Sequence, residues 1–321
     1  MTGATGFLGS ALVRRLCADG QPVRILRRAA APMDALCGAP VEEVIGDLTD
    51  AAAVDRAVAG CATVFHSAAL IQYWDDRNAE QNATNIEGTR HVVAACVRHG
   101  VRRLVHVSSV AAVGYAPDGV PVDETCPYNA GPLRNNYAES KRAAEEIVRA
   151  AVANGLDAVM VNPGTIYGPG DRRRAAYVRG LVSWVSAPGG MSVVDVDDVV
   201  EGMLRAWQRG RSGERYILTA ENLPYRAVGR IFAQCLGRRG PFVTLPGWLI
   251  RLGAGAIAVV ARVFGRRPTL TPVMARAATA YFYYSNTKAC RELGMVFRPF
   301  PETAQRTVAW LQQMGLCRII C

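Results

Sequence analysis

The stretch NYAESKRAAEEIV contains a tyrosine and a lysine whose spacing suits proton transfer. Tyr137 and Lys141 lie four residues apart, so both fall on one face of a predicted helix. An ammonium group beside a phenol favours the phenolate, so we expect Lys141 to lower the pKa of Tyr137. A tyrosine in this setting can exchange a proton with an alcohol or a carbonyl oxygen. Two of the 37 basic residues are lysines, so a lysine here by chance is a rare event.

Two serines stand where a predicted strand ends. The strand lies within RLVHVSSV (103–110), and Ser108 and Ser109 occupy its C-terminal part. Ligands of parallel sheets lie at the carboxyl ends of the strands, so either hydroxyl can hydrogen-bond a substrate oxygen. The alternative is a serine that merely satisfies the backbone at the end of the strand.

Three glycines near the start of the chain, in TGATGFLGS, predict a phosphate-binding turn. Gly3 allows a tight turn, Gly6 lets the main chain approach a pyrophosphate, and Gly9 permits close packing of a helix on a strand. The helix that follows, from about Phe7, directs free N–H groups and its positive end at the phosphates. A strand begins about 13 residues after the last glycine, which is the spacing of a dinucleotide-binding βαβ unit.

The second strand of that unit ends in two arginines. A site for NAD places an acidic residue there, on the ribose 2′-hydroxyl, whereas Arg27 and Arg28 suit the 2′-phosphate of NADP. We therefore expect NADP, with NAD as the alternative; the two arginines can also be plain surface residues. One strand further on, Asp47 of the GDL sequence can accept a hydrogen bond from the adenine amine.

Short apolar strands alternate with helical patterns, which predicts an α/β fold with a parallel sheet covered by helices on both faces. The expected architecture is a Rossmann-type doubly wound sheet with a smaller C-terminal substrate lobe. We predict a dinucleotide-binding domain over 1–168 and a mainly substrate-binding lobe over 169–321, with 191–218 returning to the sheet. Helices are predicted over 197–209 and 301–315, and strands over 22–26, 62–69, 103–110, 157–168 and 214–218.

Composition and charge limit the classes of function. Half of the 321 residues are hydrophobic, as in ordinary globular proteins. Residues 201–321 carry 17 arginines and one lysine against five glutamates, whereas residues 1–200 have a net charge of −3. The basic part is either a solvated surface or a site for an anionic partner. Nucleic acid is not expected, because no nucleic-acid-binding module accompanies the charge.

Cysteine and histidine spacing predicts no metal site. The nine cysteines form no CxxC pair and the four histidines form no HExxH motif, which indicates reduced thiols and a cytoplasmic protein. No charged-then-apolar leader is evident, so a secretion signal is not expected.

The apolar stretch GWLIRLGAGAIAVVARVFG (247–265) is interrupted by Arg251 and Arg262. Its uncharged run from Leu252 to Ala261 is ten residues long, whereas a membrane span needs about 20. We expect a helix of the smaller lobe. The alternative is an interfacial helix that rests on anionic lipid, which gives a peripheral membrane contact through residues 247–267.

In combination, these motifs resemble the extended short-chain dehydrogenase/reductase family. The resemblance runs from residue 2 to about 315 and rests on TGATGFLGS, GDL, FHSAA, NIEGT, VSSVAAVG, YAESK, NPGTIYGPGD and VDVDDVVEG. It implies Ser109 as the catalytic serine, Tyr137 as the acid/base, Lys141 as its partner, and a homodimer. With the loop and the arginines above, the expected cofactor-binding residues are Gly3, Gly6, Phe7, Leu8, Gly9, Arg27, Arg28, Asp47, Leu48, Ala68, Ala69, Tyr137, Lys141 and Pro163.

Within that family, the chain resembles dihydroflavonol reductase-like and hydroxysteroid dehydrogenase-like members, and also hopanoid-associated sugar epimerase-like proteins. The first two imply hydride transfer between NADPH and a carbonyl or alcohol of an apolar or aromatic small molecule. The aromatic residues of the lobe can contact such a substrate or form the lobe's core: Trp248, Phe282, Tyr283 and Tyr284.

Other activities stay open at this point. One is a nucleotide-sugar epimerase with tightly bound NAD, in which the run Arg172–Arg174 holds a diphosphate. Another is a dinucleotide-binding protein without catalysis. A sugar 4,6-dehydratase is less similar, because Val110 and Ala111 stand where that enzyme has its Asp–Glu pair.

Two positions depart from the family pattern. The family builds a central first strand from hydrophobic residues before the glycine loop, and here Met1 and Thr2 stand in its place. Losing such a strand removes ladder hydrogen bonds and buried area from its neighbours, so we expect a truncated first strand and a true start upstream. The other departure is Asp195, where the family has a histidine before VDDV.

Overall fold

A computed structural model describes residues 1–172, 174–183 and 185–316. Its strands are β1 Val23–Arg27, β2 Val41–Ile45, β3 Thr63–His66, β4 Arg103–Val107, β5 Ala158–Pro163, β6 Thr165–Tyr167, β7 Val185–Ser186, β8 Gly190–Asp195, β9 Arg215–Leu218, β10 Glu221–Pro224, β11 Val243–Thr244 and β12 Tyr281–Phe282. Its α-helices are α1 Phe7–Ala18, α2 Ala51–Val58, α3 Asn78–Asn82, α4 Gly88–Arg98, α5 Asn136–Ala153, α6 Arg174–Leu181, α7 Val196–Arg209, α8 Tyr225–Cys235, α9 Gly247–Val263, α10 Pro272–Ala278, α11 Thr287–Leu293 and α12 Phe300–Gln313.

The main sheet is parallel, and its helices cover both faces. Strand β1 pairs with β2, and β3, β4, β5 and β9 follow one another in that order. Successive strand residues alternate between two hydrophobic cores, as in Leu104 and Val105 of β4. One core contains α1, α7 and α11, and the other contains α2, α4 and α5. This is the α/β architecture that the near-continuous apolar strands predict.

Met1 and Thr2 lie between β1 and β3, where the family's first strand belongs. Thr2 forms parallel bridges with both Leu26 and His66. The Thr2 N–H donates to the Phe65 carbonyl at 3.1 Å, and the Leu26 N–H donates to the Met1 carbonyl at 2.9 Å. These two residues therefore join the β1–β2 pair to the four-stranded part of the sheet.

A second sheet forms around β8, which pairs with β10 in antiparallel fashion and with β6 and β12 in parallel. Strands β7 and β11 form a separate parallel pair. Helices α8 and α12 pack on this region through Tyr167, Phe232 and Phe300, whose ring centroids lie 5.3 to 5.5 Å apart. Strand β9 returns to the main sheet beside β5, whereas β8 belongs to the second sheet. The division into two domains stays a prediction.

Asp195 has a structural role at the start of α7. Its carboxylate caps the helix by accepting from the Asp197 N–H at 2.9 Å. Although fully buried, it is paired with Arg298 at 3.0 Å and Arg306 at 2.8 Å. The residue that replaces the family's histidine thus fastens the C-terminal segment to α7.

Candidate active site

Helix α5 presents Tyr137 and Lys141 at the end of strand β4. The helix begins at a side-chain cap, in which Asn135 accepts a hydrogen bond from the Tyr137 N–H at 3.1 Å. One turn later, the buried Lys141 Nζ donates to the Val107 carbonyl at 2.7 Å. Ser140 receives a hydrogen bond from the Asn85 side chain at 2.9 Å. The catalytic candidates therefore sit on a helix turn held to its neighbours by polar contacts.

Ser109 and Tyr137 are in contact, whereas Ser108 is engaged elsewhere. The Ser109 side chain is near enough to the Tyr137 phenol to lower its pKa. The Ser109 hydroxyl also accepts from the Ala111 N–H at 3.1 Å, and Asn162 binds the Ser109 carbonyl at 2.9 Å. The buried Ser108 hydroxyl donates to Glu145 at 2.7 Å. Of the two serines that the sequence left open, Ser109 is the one beside the tyrosine.

The pKa of Tyr137 moves in the direction opposite to the one expected. Burial raises the pKa of the phenol, neighbouring Tyr73 raises it further, and the nearby Ser109 side chain opposes the rise in part. Burial lowers the pKa of Lys141 to about 8, which the Glu145 carboxylate partly offsets. The expectation fails because the Lys141 ammonium is bound to the Val107 carbonyl, and burial dominates both groups.

The glycine loop has the geometry of a phosphate cradle. Gly3 has a φ of +72°, and a Cβ there would lie 2.7 Å from the Ala68 backbone nitrogen. A Cβ on Gly9 would lie 2.0 Å from the Gly3 carbonyl oxygen. At Gly6 a Cβ would meet that same oxygen alone, at 3.2 Å, so the other side of Gly6 is open. Helix α1 starts directly after it without a side-chain cap, which leaves N–H groups for a pyrophosphate.

The other predicted cofactor residues lie at the same edge of the main sheet. Arg27 ends β1 and its side chain is occupied by Glu43 at 2.5 Å and by the Ala29 carbonyl at 3.0 Å. Arg28 is exposed and close enough to Asp47 to lower the pKa of that carboxyl, after the larger effect of the Thr49 N–H. The remaining residues are Leu48 after β2, Ala68 and Ala69 after β3, Pro163 at the end of β5, and Phe7 and Leu8 in the first turn of α1. These positions fit a dinucleotide bound along the carboxyl ends of the strands.

A cluster of tyrosines beside the site was missed by the sequence reasoning. The Tyr73 ring packs edge-on against Tyr137, with centroids 6.4 Å apart. Burial raises the pKa of Tyr225, and neighbouring Tyr177, Tyr73 and Tyr283 add to the rise. These residues come from four separate segments of the chain, so no spacing in the sequence connects them.

The four aromatic residues of the lobe that could contact a substrate or form its core lie in different environments. Tyr284 is buried and Phe282 packs on Tyr115 with ring centroids 5.1 Å apart, so both contribute to core packing. Tyr283 belongs to the tyrosine cluster, and Trp248 lies exposed on α9. In the run Arg172–Arg174, residue 173 lies outside the described residues.

Within the described ranges, no group of histidine, cysteine, aspartate or glutamate side chains could hold a metal ion. Seven of the nine cysteines lie in these ranges, and each is a free thiol.

A model of the NAD dependent epimerase/dehydratase family matches residues 1–218. The chain therefore belongs to this family, which the extended short-chain dehydrogenase/reductase motifs of its sequence and its Rossmann sheet already indicated. It is 33% identical to the putative dihydroflavonol 4-reductase of Synechocystis sp., over 98% of its own length and 94% of that relative. Sterol demethylase protein B of Methylococcus capsulatus is 32% identical, with 98% of each chain covered.

Among solved structures, the crystal structure of gox2253 matches with a TM-score of 0.86 at 33% identity, and covers 99% of this chain and 98% of gox2253. Fold, family and named relatives together identify an NAD-binding enzyme of the short-chain dehydrogenase/reductase type. A dinucleotide-binding protein without catalysis is not the class these comparisons support.

Proposed function

We propose that the protein reduces a carbonyl group of an apolar or aromatic small molecule with NADPH, or oxidises the corresponding alcohol with NADP. The observation that carries the proposal is the placement of Ser109 beside Tyr137, one helical turn from the buried Lys141 ammonium. It joins a proton donor and a hydrogen-bond donor at the strand edge where the glycine loop also lies.

The raised pKa of Tyr137 suits the role of acid in the reductive direction. A phenol that stays protonated at neutral pH can give its proton to the carbonyl oxygen as that oxygen gains negative charge. Ser109 can donate a hydrogen bond to the same oxygen and stabilise its developing charge. Lys141 holds the end of β4 and places a positive charge beside the site. NADPH, when bound, supplies the hydride.

The tyrosine cluster supports an apolar or aromatic substrate. Tyr73 places a ring against Tyr137, and Tyr225 lies near enough to Tyr73, Tyr177 and Tyr283 for them to raise its pKa, so aromatic surface continues from the site. The names of the two relatives, a putative dihydroflavonol 4-reductase and a sterol demethylase protein, refer to a dihydroflavonol and to a sterol.

NADP rather than NAD is supported by Arg28. Its guanidinium is exposed at the end of β1, where a 2′-phosphate belongs, whereas Arg27 is already paired with Glu43. We expect Arg28→Ser to lower kcat/KM for NADPH about tenfold while leaving that for NADH nearly unchanged. Arg27→Ser is the matched control and should change the NADPH/NADH ratio much less. Equal losses with both cofactors in Arg28→Ser would contradict the assignment.

The reaction is tested by following NADPH absorbance with a panel of cyclic and aromatic ketones. The proposal expects one NADPH consumed for each alcohol formed. Cofactor that co-purifies with the protein and is never consumed, together with turnover of a nucleotide sugar, would favour an epimerase instead. The family resemblance also leads us to propose a cytoplasmic homodimer with α5 in its interface.

A further inference from the structure

Helix α9 carries an apolar stripe that faces away from the protein. Trp248, Leu252, Val259 and Val263 recur at steps of four and seven residues, and their exposed fractions are 63%, 64%, 64% and 75%. These steps keep the four side chains on one side of a helix. Among the residues of α9, Ala254 is the one that is fully buried, and α9 rests on α10. Contiguous exposed apolar surface of this kind marks an interaction site.

Arginines flank the stripe along a single edge. Arg251 and Arg262 are eleven residues apart, close to three full turns, so they share one side of the helix. Arg266 follows the helix directly. Within the described ranges, Arg262 and Arg266 form no ion pair, and Arg251 binds the Thr279 hydroxyl at 2.8 Å. An apolar face with cationic side chains at its border is the arrangement of helices that lie in a lipid interface.

The chain around α9 also carries an excess of positive charge. Between residues 222 and 287 the sequence has nine arginines and neither aspartate nor glutamate. This stretch includes α8, α9 and α10. The surface around the stripe therefore attracts an anionic partner, and a carboxylate-rich segment of its own is not present to neutralise it.

The chain that follows helix α9 touches the segment next to Tyr73. Arg267 pairs with Asp76 at 2.8 Å, and the Trp74 indole donates to the Pro268 carbonyl at 3.3 Å. The neighbouring Tyr73 is the ring that packs on Tyr137. A surface that binds α9 would thus lie next to the approach to the candidate catalytic residues.

We propose that α9 is an interfacial helix with which the protein docks on an anionic lipid bilayer, so that an apolar substrate enters the Tyr137 site from the membrane surface. The docking stands on the exposed stripe and its arginines alone, and the substrate route rests on the proposed function. None of the described helices is long and apolar enough to cross a bilayer, which leaves α9 lying on the surface.

A second copy of the chain is the competing occupant of this face. A two-fold contact would bring the same patch against itself, and so place two sets of unpaired arginines together. That costs electrostatic repulsion, because residues 222–287 contain no acidic residue to offset it. Anionic lipid headgroups remove the repulsion, because they pair with the arginines while the stripe enters the acyl boundary.

The docking is tested by sedimentation with vesicles of phosphatidylcholine alone or mixed with phosphatidylglycerol, without cofactor or substrate. The protein should bind the mixed vesicles at least about tenfold more strongly, and less as salt is raised. The double variant Leu252→Glu with Val259→Glu, called the stripe pair below, should abolish binding. The matched pair Val120→Glu and Val296→Glu adds the same charge at exposed valines elsewhere and should bind like the unmodified protein.

Charge reversal gives an independent arm. Arg262→Glu with Arg266→Glu should weaken binding to the mixed vesicles about tenfold, while Arg56→Glu with Arg102→Glu should weaken it far less. Equal sedimentation of the stripe pair and its control, or no sedimentation of the unmodified protein, would overturn the docking. A dimer that the stripe pair converts to monomers would overturn it too, in favour of a protein interface.

The substrate route has its own readout. With a ketone dissolved in mixed vesicles, the stripe pair should lose about tenfold in kcat/KM, while reduction of a water-soluble ketone is unchanged. If the stripe pair keeps the same fraction of the unmodified protein's kcat/KM with both ketones, the route is overturned. If neither ketone is reduced by the unmodified protein, the proposed function fails and the route with it, while the sedimentation result still decides the docking.

Discussion

Lys141 is an ammonium group enclosed by protein, 3% exposed, with the Val107 carbonyl as its hydrogen-bond acceptor and Glu145 one turn away. Burial disfavours its charged form and lowers its pKa to about 8 from the usual 10.5, which the carboxylate offsets in part. The folded state therefore holds this proton less tightly than the unfolded chain. Placing the Lys141 ammonium in the interior therefore costs stability as long as the group is charged.

That difference predicts a pH-dependent stability. Below pH 8 both states carry the proton, and between pH 8 and 10.5 the unfolded state binds more of it, so the free energy of unfolding rises with pH. Relative to Lys141→Met, the unmodified protein should gain up to about 3 kcal/mol over this window. Urea unfolding at several pH values measures it, with Lys288→Met as control. A Lys141→Met difference that stays constant with pH would contradict the prediction.

At the scale of residues, the sequence identified the candidate residues but not their pKa values or their tertiary partners. Tyr137 and Lys141 could be found because they share one helix, where spacing alone places them together. The direction of the Tyr137 pKa could not be predicted, since it depends on burial and on Tyr73, 64 residues away in the chain. The role of Asp195 was equally hidden, because its partners Arg298 and Arg306 are more than a hundred residues further on.

At the scale of elements, the loop before α1 and the helix α5 fix the geometry of the site. The loop brings Gly3 against the chain after β3, with no room for a side chain. Through Glu145, helix α5 is tied to two strands and to the residue after β4, since Glu145 accepts from Ser108, from Asn162 at 2.9 Å and from Arg215 at 3.1 Å. Each contact can be tested by a substitution that is compared with the same substitution at a similar residue without that contact.

Gly3→Ala should be far more disruptive than Gly20→Ala. Both glycines have φ near +70°, so alanine strains the backbone equally, by about 1 kcal/mol. A Cβ on Gly20 meets open space, whereas one on Gly3 collides with the Ala68 backbone. We expect a total loss of about 3 kcal/mol in Gly3→Ala and a weaker affinity for NADPH, measured by unfolding and by fluorescence titration. Similar losses in both variants would contradict the close approach.

Glu145→Gln should destabilise the protein by about 3 kcal/mol, because it leaves the guanidinium of Arg215 partly buried without its counter-ion. The adjacent Glu146→Gln is the matched control. Glu146 pairs with Arg142 at an exposed position, so its loss should stay within about 0.5 kcal/mol. Unfolding curves for the two variants give the comparison, and equal midpoints would rule out the anchoring role of Glu145.

Among the elements, those of the dinucleotide-binding half were the predictable ones. Strands β3, β4 and β5 fall within the predicted stretches and β1 ends one residue beyond the predicted 22–26, because buried parallel strands are short apolar runs. The two-residue strands of the lobe were missed, since their pairing partners are distant and they are too short for a pattern. Strand β10 ends in Pro224, and a proline in the sequence argues against a strand because it has no N–H to donate.

At the scale of the molecule, one edge of one sheet collects the proposed chemistry. The glycine loop, the arginines after β1, Asp47 after β2 and Ser109 after β4 all lie at the carboxyl ends of parallel strands. The Rossmann arrangement follows from the alternation of strands and helices, so it was predictable. The family resemblance placed Met1 and Thr2 in the middle of the sheet, but their partners Leu26 and His66 were not predictable, because these lie more than twenty residues later.

The central claim is that the phenol of Tyr137 transfers the proton in a hydride-transfer reaction. It is tested most directly by NADPH-dependent ketone reduction in Tyr137→Phe, with Tyr128→Phe, on the approach to the same helix, as the control. The account predicts a loss of at least about a hundredfold in kcat for Tyr137→Phe, with a far smaller change in NADPH affinity. A Tyr137→Phe protein that reduces the ketone at the rate of the unmodified one would contradict it.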